Sequence, residues 1–207
     1  MAGPDRPDAP DTAGSDYAER LETLEGARWK RLLDVQAPYR WNLRRLDLGF
    51  TLDVGCGIGR NLLHLGGRGV GVDHNAASVE TARRRGCTAY TVEEFRASPH
   101  AATADFDALL VAHVLEHMPF AEASALLGEY LPRVRPGGRV VLITPQQAGY
   151  RSDPTHVEYM DFAALQRLVE DHDLRTERSY SFPFPPFAGR FFAHNEFVVV
   201  ARKPPSA

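Results

Sequence analysis

Thr51-Leu52-Asp53-Val54-Gly55-Cys56-Gly57-Ile58-Gly59-Arg60-Asn61-Leu62-Leu63 is the stretch on which the fold turns. A short apolar run stops at three glycines on alternate positions, and a helical pattern with Leu62, Leu63 and Leu65 follows. The order predicted is strand, tight turn, helix. Glycines there permit positive φ and a close approach of backbone to a ligand. The start of the helix behind them offers unpaired N–H groups to an anionic or polar ligand.

The same alternation runs outward. Strands are expected at 50–54, 69–73, 88–92, 106–111, 139–143, 175–181 and 191–201. Helices are expected at 59–65, 76–85, 119–131 and 161–172, the last with Asp161 as N-cap. Residues 135–138 read as a tight turn and 146–159 as irregular. Strands alternating with helices predict an α/β fold, a Rossmann-like doubly wound sheet of seven strands. The last two strands are joined by a loop too short for a crossover helix, so the last strand is expected antiparallel. Ligands in such sheets bind outside the carboxyl ends of the strands beside the first one. That places Asp53, Gly55, Asp73, Glu93, His113 and Thr144 around one crevice.

Ahead of the first strand, residues 1–15 are rich in Pro, Asp, Ala and Gly and are expected to form a disordered tail. Residues 16–46 read as a helical cap, one helix to about residue 35 and, after an interruption at Pro38, another over 39–46. The domain proper is expected to span 47–203. At 207 residues, 43% hydrophobic and 25% charged, the composition is that of a globular protein. A net charge of −3 argues against a broad nucleic-acid footprint. The two cysteines, Cys56 and Cys87, have no metal-binding spacing and suggest a reducing compartment. No apolar run reaches the roughly 20 residues needed to span a bilayer, so the default reading is cytoplasmic.

The glycine turn by itself fits several cofactors. The dinucleotide fingerprint needs glycine at its sixth position, where Arg60 stands, and the Gly-Lys-Ser/Thr ending of a nucleotide-triphosphate loop is absent. Eighteen residues beyond Gly55, Asp73 ends the second strand, where an acid accepts hydrogen bonds from ribose hydroxyls.

With Leu52–Gly59, Gly71-Val72-Asp73, the stretch from Phe106-Asp107 to His113-Val114-Leu115-Glu116-His117, and Leu131-Pro132-Arg133-Val134-Arg135-Pro136-Gly137-Gly138 in this order, the chain resembles the class I S-adenosylmethionine-dependent methyltransferases. The layout is most similar to their ubiquinone-biosynthesis-like small-molecule branch. The resemblance implies S-adenosyl-L-methionine as cofactor, with its methionine part over Asp53, Gly55, Cys56 and Gly57. It implies the ribose on Asp73 with His74 beside it, the adenine near Glu93, Glu94 and Phe95, and His113 on the cofactor side. Arg40, in Tyr39-Arg40-Trp41, resembles an arginine that holds the methionine carboxylate, or else is a solvated helix arginine.

The expected reaction is methyl transfer to a small-molecule acceptor, at oxygen in preference to nitrogen. His156, in Asp153-Pro154-Thr155-His156, and His117 are the candidate bases. The loop is alternatively a stabilising Asx or Thr turn, and His117 a structural hydrogen-bonder. No metal is assigned. In similar ubiquinone-type enzymes Glu-x-x-Glu-His can hold a divalent ion, and here His113 replaces the first Glu, leaving His113, Glu116 and His117 as an alternative set. A binding protein on the same fold without turnover is the other alternative. Neither the acceptor nor the oligomeric state is legible.

Overall fold

The computed structural model describes residues 34–102 and 104–205. The expected tail and nearly all of the first expected helix lie outside the described residues. Helix α1, Ala37–Arg44, carries Pro38 within its first turn instead of being interrupted by it. Proline is tolerated there because the N–H it lacks has no partner within the helix.

Seven strands form one sheet: β1 Thr51–Val54, β2 Gly69–Asp73, β3 Ala89–Thr91, β4 Phe106–Ala112, β5 Val134–Pro145, β6 Arg175–Phe182 and β7 Glu196–Arg202. Their order is β3-β2-β1-β4-β5-β7-β6. The pairs from β3 to β5 are parallel, and β7 runs antiparallel to both neighbours. This is the doubly wound, Rossmann-like sheet of seven strands expected above, with its last strand antiparallel. The remaining helices are α2 Arg60–His64, α3 Ala76–Arg84, α4 Val92–Ala97, α5 Phe120–Tyr130, α6 Gln147–Ser152 and α7 Phe162–Asp171.

The period-two alternation of the strands divides the core. In β4, Leu109 and Val111 join Leu52, Val54, Val140 and Leu142 on one face, against Leu127 of α5 and Leu165 and Leu168 of α7. Ala108, Leu110 and Ala112 face the other way, with Val141, Ile143, Val198 and Val200, against Leu43, Leu46 and Leu48 in and after α1. The α1 segment is therefore packed into the main core. A smaller cluster of Cys56, Leu62, Val79, Ala82, Cys87 and Ala89 lies beneath α2 and α3. The Asp161 cap is present: its carboxylate accepts from the Ala164 N–H at 3.0 Å.

Four local expectations change. Thr91 ends β3 early because its hydroxyl and Glu94 form a reciprocal capping box that starts α4. β5 begins at Val134, which pairs with Phe106, and the register then jumps to Ala108 opposite Arg139, so residues 135–138 bulge out within the strand. Residues 147–152 are helical where an irregular segment was expected. β7 starts at Glu196 instead of Phe191, whose ring is 85% exposed and contributes nothing to the sheet core.

Candidate functional site

On the β1–β2 side the site is built largely from backbone. Gly55, Gly57 and Gly59 have φ of 74°, 51° and 79°. A Cβ on Gly55 would strike the Val114 side chain, so the turn and the segment after β4 close on each other only through glycine. The N–H groups of Gly55 and Cys56 donate to the Val72 carbonyl at 2.8 and 3.1 Å. Asp73 stitches the turn to β2: its carboxylate accepts from the Gly57 N–H at 2.7 Å and the Asn75 N–H at 2.9 Å. The His74 ring Nδ1 lies 3.5 Å from the same carboxylate.

Asp53 is fully buried, and neither of its carboxylate oxygens has a hydrogen-bond partner. Burial raises its pKa to about 7; the Asn61 amide opposes this, the Asp73 charge adds to it and Arg60 opposes it. Cys56 is buried as well, and burial pushes its thiol well above the ordinary range. Gly71 makes room for it, since a Cβ there would stand 2.5 Å from Sγ.

On the β4–β5 side the site is made of side chains. His113, just after β4, has φ +60°, a left-handed conformation uncommon for a residue with a side chain. Its N–H still donates to the Ile143 carbonyl at 2.9 Å, and its ring Nε2 lies 2.9 Å from the Glu196 carboxylate. Its Nδ1 is 3.4 Å from Glu116, an ion-pair contact instead of an aligned hydrogen bond. Burial favours the neutral ring, but the two carboxylates outweigh it and hold His113 well above the ordinary histidine range. The chain then forms a short 3-10 turn, Leu115–His117. His113 lies outside that turn, so it does not share a helical face with His117, and the His113/Glu116/His117 grouping is corrected.

The histidine that joins Glu116 and His117 is His156, with one ligand-type atom from each of the three within 4.8 Å of the others. Backbone bonds bring its loop in: the N–H groups of Val157 and Glu158 donate to the Glu116 carbonyl at 2.7 and 3.2 Å. His117 Nδ1 faces the Thr155 carbonyl at 3.3 Å and the Thr155 hydroxyl at 3.1 Å. That hydroxyl donates to Asp153 at 2.7 Å, in the Asx turn foreseen as the loop's alternative role. His156 Nδ1 faces the Tyr150 carbonyl at 2.7 Å, and its ring stacks on Tyr150. The two imidazole centroids are 4.8 Å apart. Burial holds His117 below its ordinary pKa; Glu116 opposes the shift and His156 adds to it. The Glu116 side chain is 1% exposed with both oxygens lacking a hydrogen bond.

Other expected residues have different surroundings. Phe95 is 2% exposed and packs on Tyr130, so it offers no face to an adenine; it is a core residue. Glu94 is engaged in the capping box and with Arg83 at 2.5 Å, while Glu93 is exposed in the first turn of α4. Arg40 pairs with Asp34 at 2.5 Å along a shallow hollow lined by Ala37, Trp41, Arg44 and Arg45. Thr144 is wholly buried, its hydroxyl donating to the Met160 carbonyl at 2.7 Å, so it is structural.

Glu196, Tyr150, Gln146 and Asn195 escaped sequence reasoning. Asn195 donates to Gln146 at 3.0 Å and to Ser181 at 2.9 Å, and Gln146 donates to Ser181 at 2.8 Å, locking the loop ahead of β7 onto the end of β5. The polar pair buried between two strand ends had no local signature. The Thr91-x-x-Glu94 box, by contrast, is a local capping pattern that the strand expected over 88–92 passed over.

Residues 52–142 match the family described as a methyltransferase domain. No curated protein sequence matches the chain. Several solved structures share the fold. A SAM-dependent methyltransferase from Archaeoglobus fulgidus is 18% identical, with 90% of this chain and 99% of that one covered and a TM-score of 0.66. A putative methyltransferase from Haloferax volcanii, solved with the Trm112 methyltransferase activator, is 17% identical over 93% and 96%, with a TM-score of 0.69. The N-methyltransferase NodS from Bradyrhizobium japonicum WM9, solved with S-adenosyl-L-homocysteine, is 16% identical over 91% and 97%, with a TM-score of 0.63.

The matched domain and the strand order define a Rossmann-like methyltransferase. Residues 52–142 are those of a methyltransferase domain on the class I methyltransferase fold, and S-adenosyl-L-methionine is the cofactor that this domain implies. The residues present fit that group. A buried carboxylate without a partner, Asp53, lies beside a glycine cradle that a Cβ would fill, and the cofactor is a cation with an ammonium group. Among the described residues no helix is long and apolar enough to cross a membrane.

Proposed function

We propose that the protein methylates a hydroxyl group of a small-molecule acceptor, activated at the His117–His156 pair. When bound, S-adenosyl-L-methionine supplies a methyl group on a sulfonium. In this reading Gly55, Cys56 and Gly57 cradle its methionine part, Asp53 supplies the compensating negative charge, and Asp73 and His74 hold the ribose. Glu93 and Glu94 border the adenine end. Oriented groups of this kind lower the barrier by fixing the acceptor in line with the sulfur.

One observation carries the choice of a hydroxyl. The Nδ1 atoms of both histidines face acceptors: the Tyr150 carbonyl for His156, and for His117 the Thr155 carbonyl and a hydroxyl whose proton is already given to Asp153. Both Nδ1 atoms therefore carry the ring proton, and both Nε2 atoms keep a lone pair with which to take a proton from an acceptor. A hydroxyl gains most from such a base, because its neutral form is a poor nucleophile.

The test is methyl transfer from labelled S-adenosylmethionine to a panel of phenols, alcohols and amines. Transfer to hydroxyl acceptors is expected, with kcat reduced on the order of 10²-fold or more in His156→Asn. Because burial holds His117 below its ordinary pKa, activity is expected to persist on the acid side of neutrality and to fall only as that ring protonates. Transfer to amines alone, or a His156→Asn variant as fast as the parent, would sink the reading.

A further inference from the structure

We propose that the loop between β6 and β7, together with the outer side of α1, docks the protein on an anionic lipid bilayer surface. Docking of this kind needs neither the bound cofactor nor the His117–His156 pair.

Three observations converge. The first is an apolar surface that the fold leaves uncovered. Phe184, Phe187, Phe191 and Phe192 come from one short stretch of the loop and all are exposed, Phe187 at 69%. Trp41, on the outer side of α1 with Ala37, Arg40, Arg44 and Arg45, is 56% exposed. A single exposed apolar residue needs no explanation, whereas large ones gathered in one place mark an interaction surface.

The second is continuity on a fixed platform. The Tyr39 hydroxyl of α1 donates to the His194 carbonyl at 2.7 Å. The Tyr39 and Trp41 rings lie 5.7 and 6.4 Å from that of Phe182, the last residue of β6. Phe192 in turn meets Phe184 and His194, with ring centroids 5.4 and 5.5 Å away. The loop and α1 therefore share one surface. The loop is also tied down: the Phe184 N–H donates to the buried Asn195 side chain at 3.0 Å, and the Asn195 amide donates to the Phe184 carbonyl at 3.2 Å. Rings presented on an ordered backbone lose less conformational freedom on docking.

The third is charge, and it selects the partner. Residues 37–45 and 183–195 contain Arg40, Arg44, Arg45 and Arg190 and no Asp or Glu, in a chain whose net charge is −3. Among the described residues only Arg40 of the four has an ion-pair partner, Asp34. Arg45 lies over the Trp41 ring, 4.5 Å from its centroid, and Arg190 is exposed beside Phe191. A second copy of the chain in a two-fold contact would set these arginines against their own copies. A purely apolar partner would take the rings and leave the guanidinium groups desolvated without acceptors. The headgroup layer of an anionic bilayer satisfies both: aromatic rings settle at its level, and arginine side chains reach its phosphates.

The test is cosedimentation of the full chain with vesicles of phosphatidylcholine containing about one-third phosphatidylglycerol, and with vesicles of phosphatidylcholine alone. Binding is expected to the anionic vesicles, to be about tenfold or more weaker to the neutral ones, and to fall as salt is raised. Phe187→Ser combined with Phe191→Ser is expected to weaken it about tenfold or more, and Arg190→Glu about tenfold. These side chains are exposed, and far-ultraviolet circular dichroism checks that the variants fold. S-adenosylmethionine affinity by calorimetry is expected within about twofold of the parent in both, so failed docking and failed cofactor binding are read separately. No binding of the parent to anionic vesicles, equal binding to neutral ones, or parent-like binding by the doubly substituted variant overturns the proposal. So does a dimer in sedimentation equilibrium that the same double substitution splits, which would assign the face to a second copy.

Discussion

The two walls of the crevice are made of different material. On the β1–β2 wall, three left-handed glycines and the carboxylates of Asp53 and Asp73 come from a span of about twenty residues, and most of the contacts are to backbone. On the β4–β5 wall, His113, Glu116 and His117 meet Tyr150, Thr155, His156 and Glu196, which lie 33 to 83 residues further along the chain. A backbone cradle tolerates little change at its glycines and is indifferent to many side chains. A side-chain cluster assembled from distant segments depends on each member's chemistry. In the reading proposed above, the first wall serves the cofactor and the second the acceptor.

The sharpest way to break the first wall is Gly55→Val. A β-branched residue is strained at φ +74°, and its Cβ would strike Val114, coupling the damage to both walls. We expect loss of measurable S-adenosylmethionine binding by calorimetry, on the order of 100-fold or more. A variant that binds within threefold of the parent would show that the cradle does not need the close approach.

The contrast between the walls also explains what could be read in advance. The glycine turn, Asp73 at the end of β2 and the Asp161 cap are local patterns, because the turn geometry or the cap is set by neighbours in sequence. The doubly wound sheet followed from the alternation of strands and helices, and its antiparallel last strand from the short connection before it. The Glu116–His117–His156 cluster could not be read this way. It depends on His113 adopting a left-handed backbone that sequence favours at glycine, so a regular i, i+4 spacing gave the wrong partner. The His113–Glu196 contact was equally illegible, because the approach of Glu196 is fixed by β7 pairing between β5 and β6. Phe95 misled for the opposite reason: it follows β3 directly, but the Thr91 cap turns the chain into α4 and puts its ring in the core.

A second effect, of several degrees in Tm, isolates the buried acid. Asp53 is protonated in the folded state up to about pH 7, whereas an unfolded aspartate ionises above about 3.8. Its proton-linked stability is therefore greatest below about pH 4, declines as pH rises through that interval, and is gone above about pH 7. Asp53→Asn removes this dependence. In ligand-free protein the variant is expected to gain a few kcal/mol relative to the parent at pH 8 over pH 4, about 2–4 °C in Tm per kcal/mol. In the reading proposed above it also loses cofactor affinity at pH 8, where the parent's Asp53 is ionised. Melts at the two pH values check this; a stability difference that does not change with pH would mean that Asp53 is ionised in the folded protein throughout.

The smallest effect tests the second wall. Glu196→Gln removes one of the two carboxylates that keep His113 protonated. His113 has a folded pKa above the ordinary histidine value, so its contribution is fully present below about pH 6.5 and is lost as pH rises through the folded pKa, on the alkaline side. With the ring about one-third exposed, solvent screening holds the loss in Glu196→Gln to about 1 kcal/mol or less near pH 7. The difference from the parent should shrink further as His113 deprotonates in alkaline solution. A cost that instead grew with pH would mean that His113 is neutral in the folded protein and that Glu196 serves the site as an acceptor of a hydrogen bond, not as a counter-ion. Paired thermal melts from pH 6 to 10 separate the two, and the cofactor affinity of Glu196→Gln, expected within about twofold of the parent, shows whether the two walls are as independent as their construction implies.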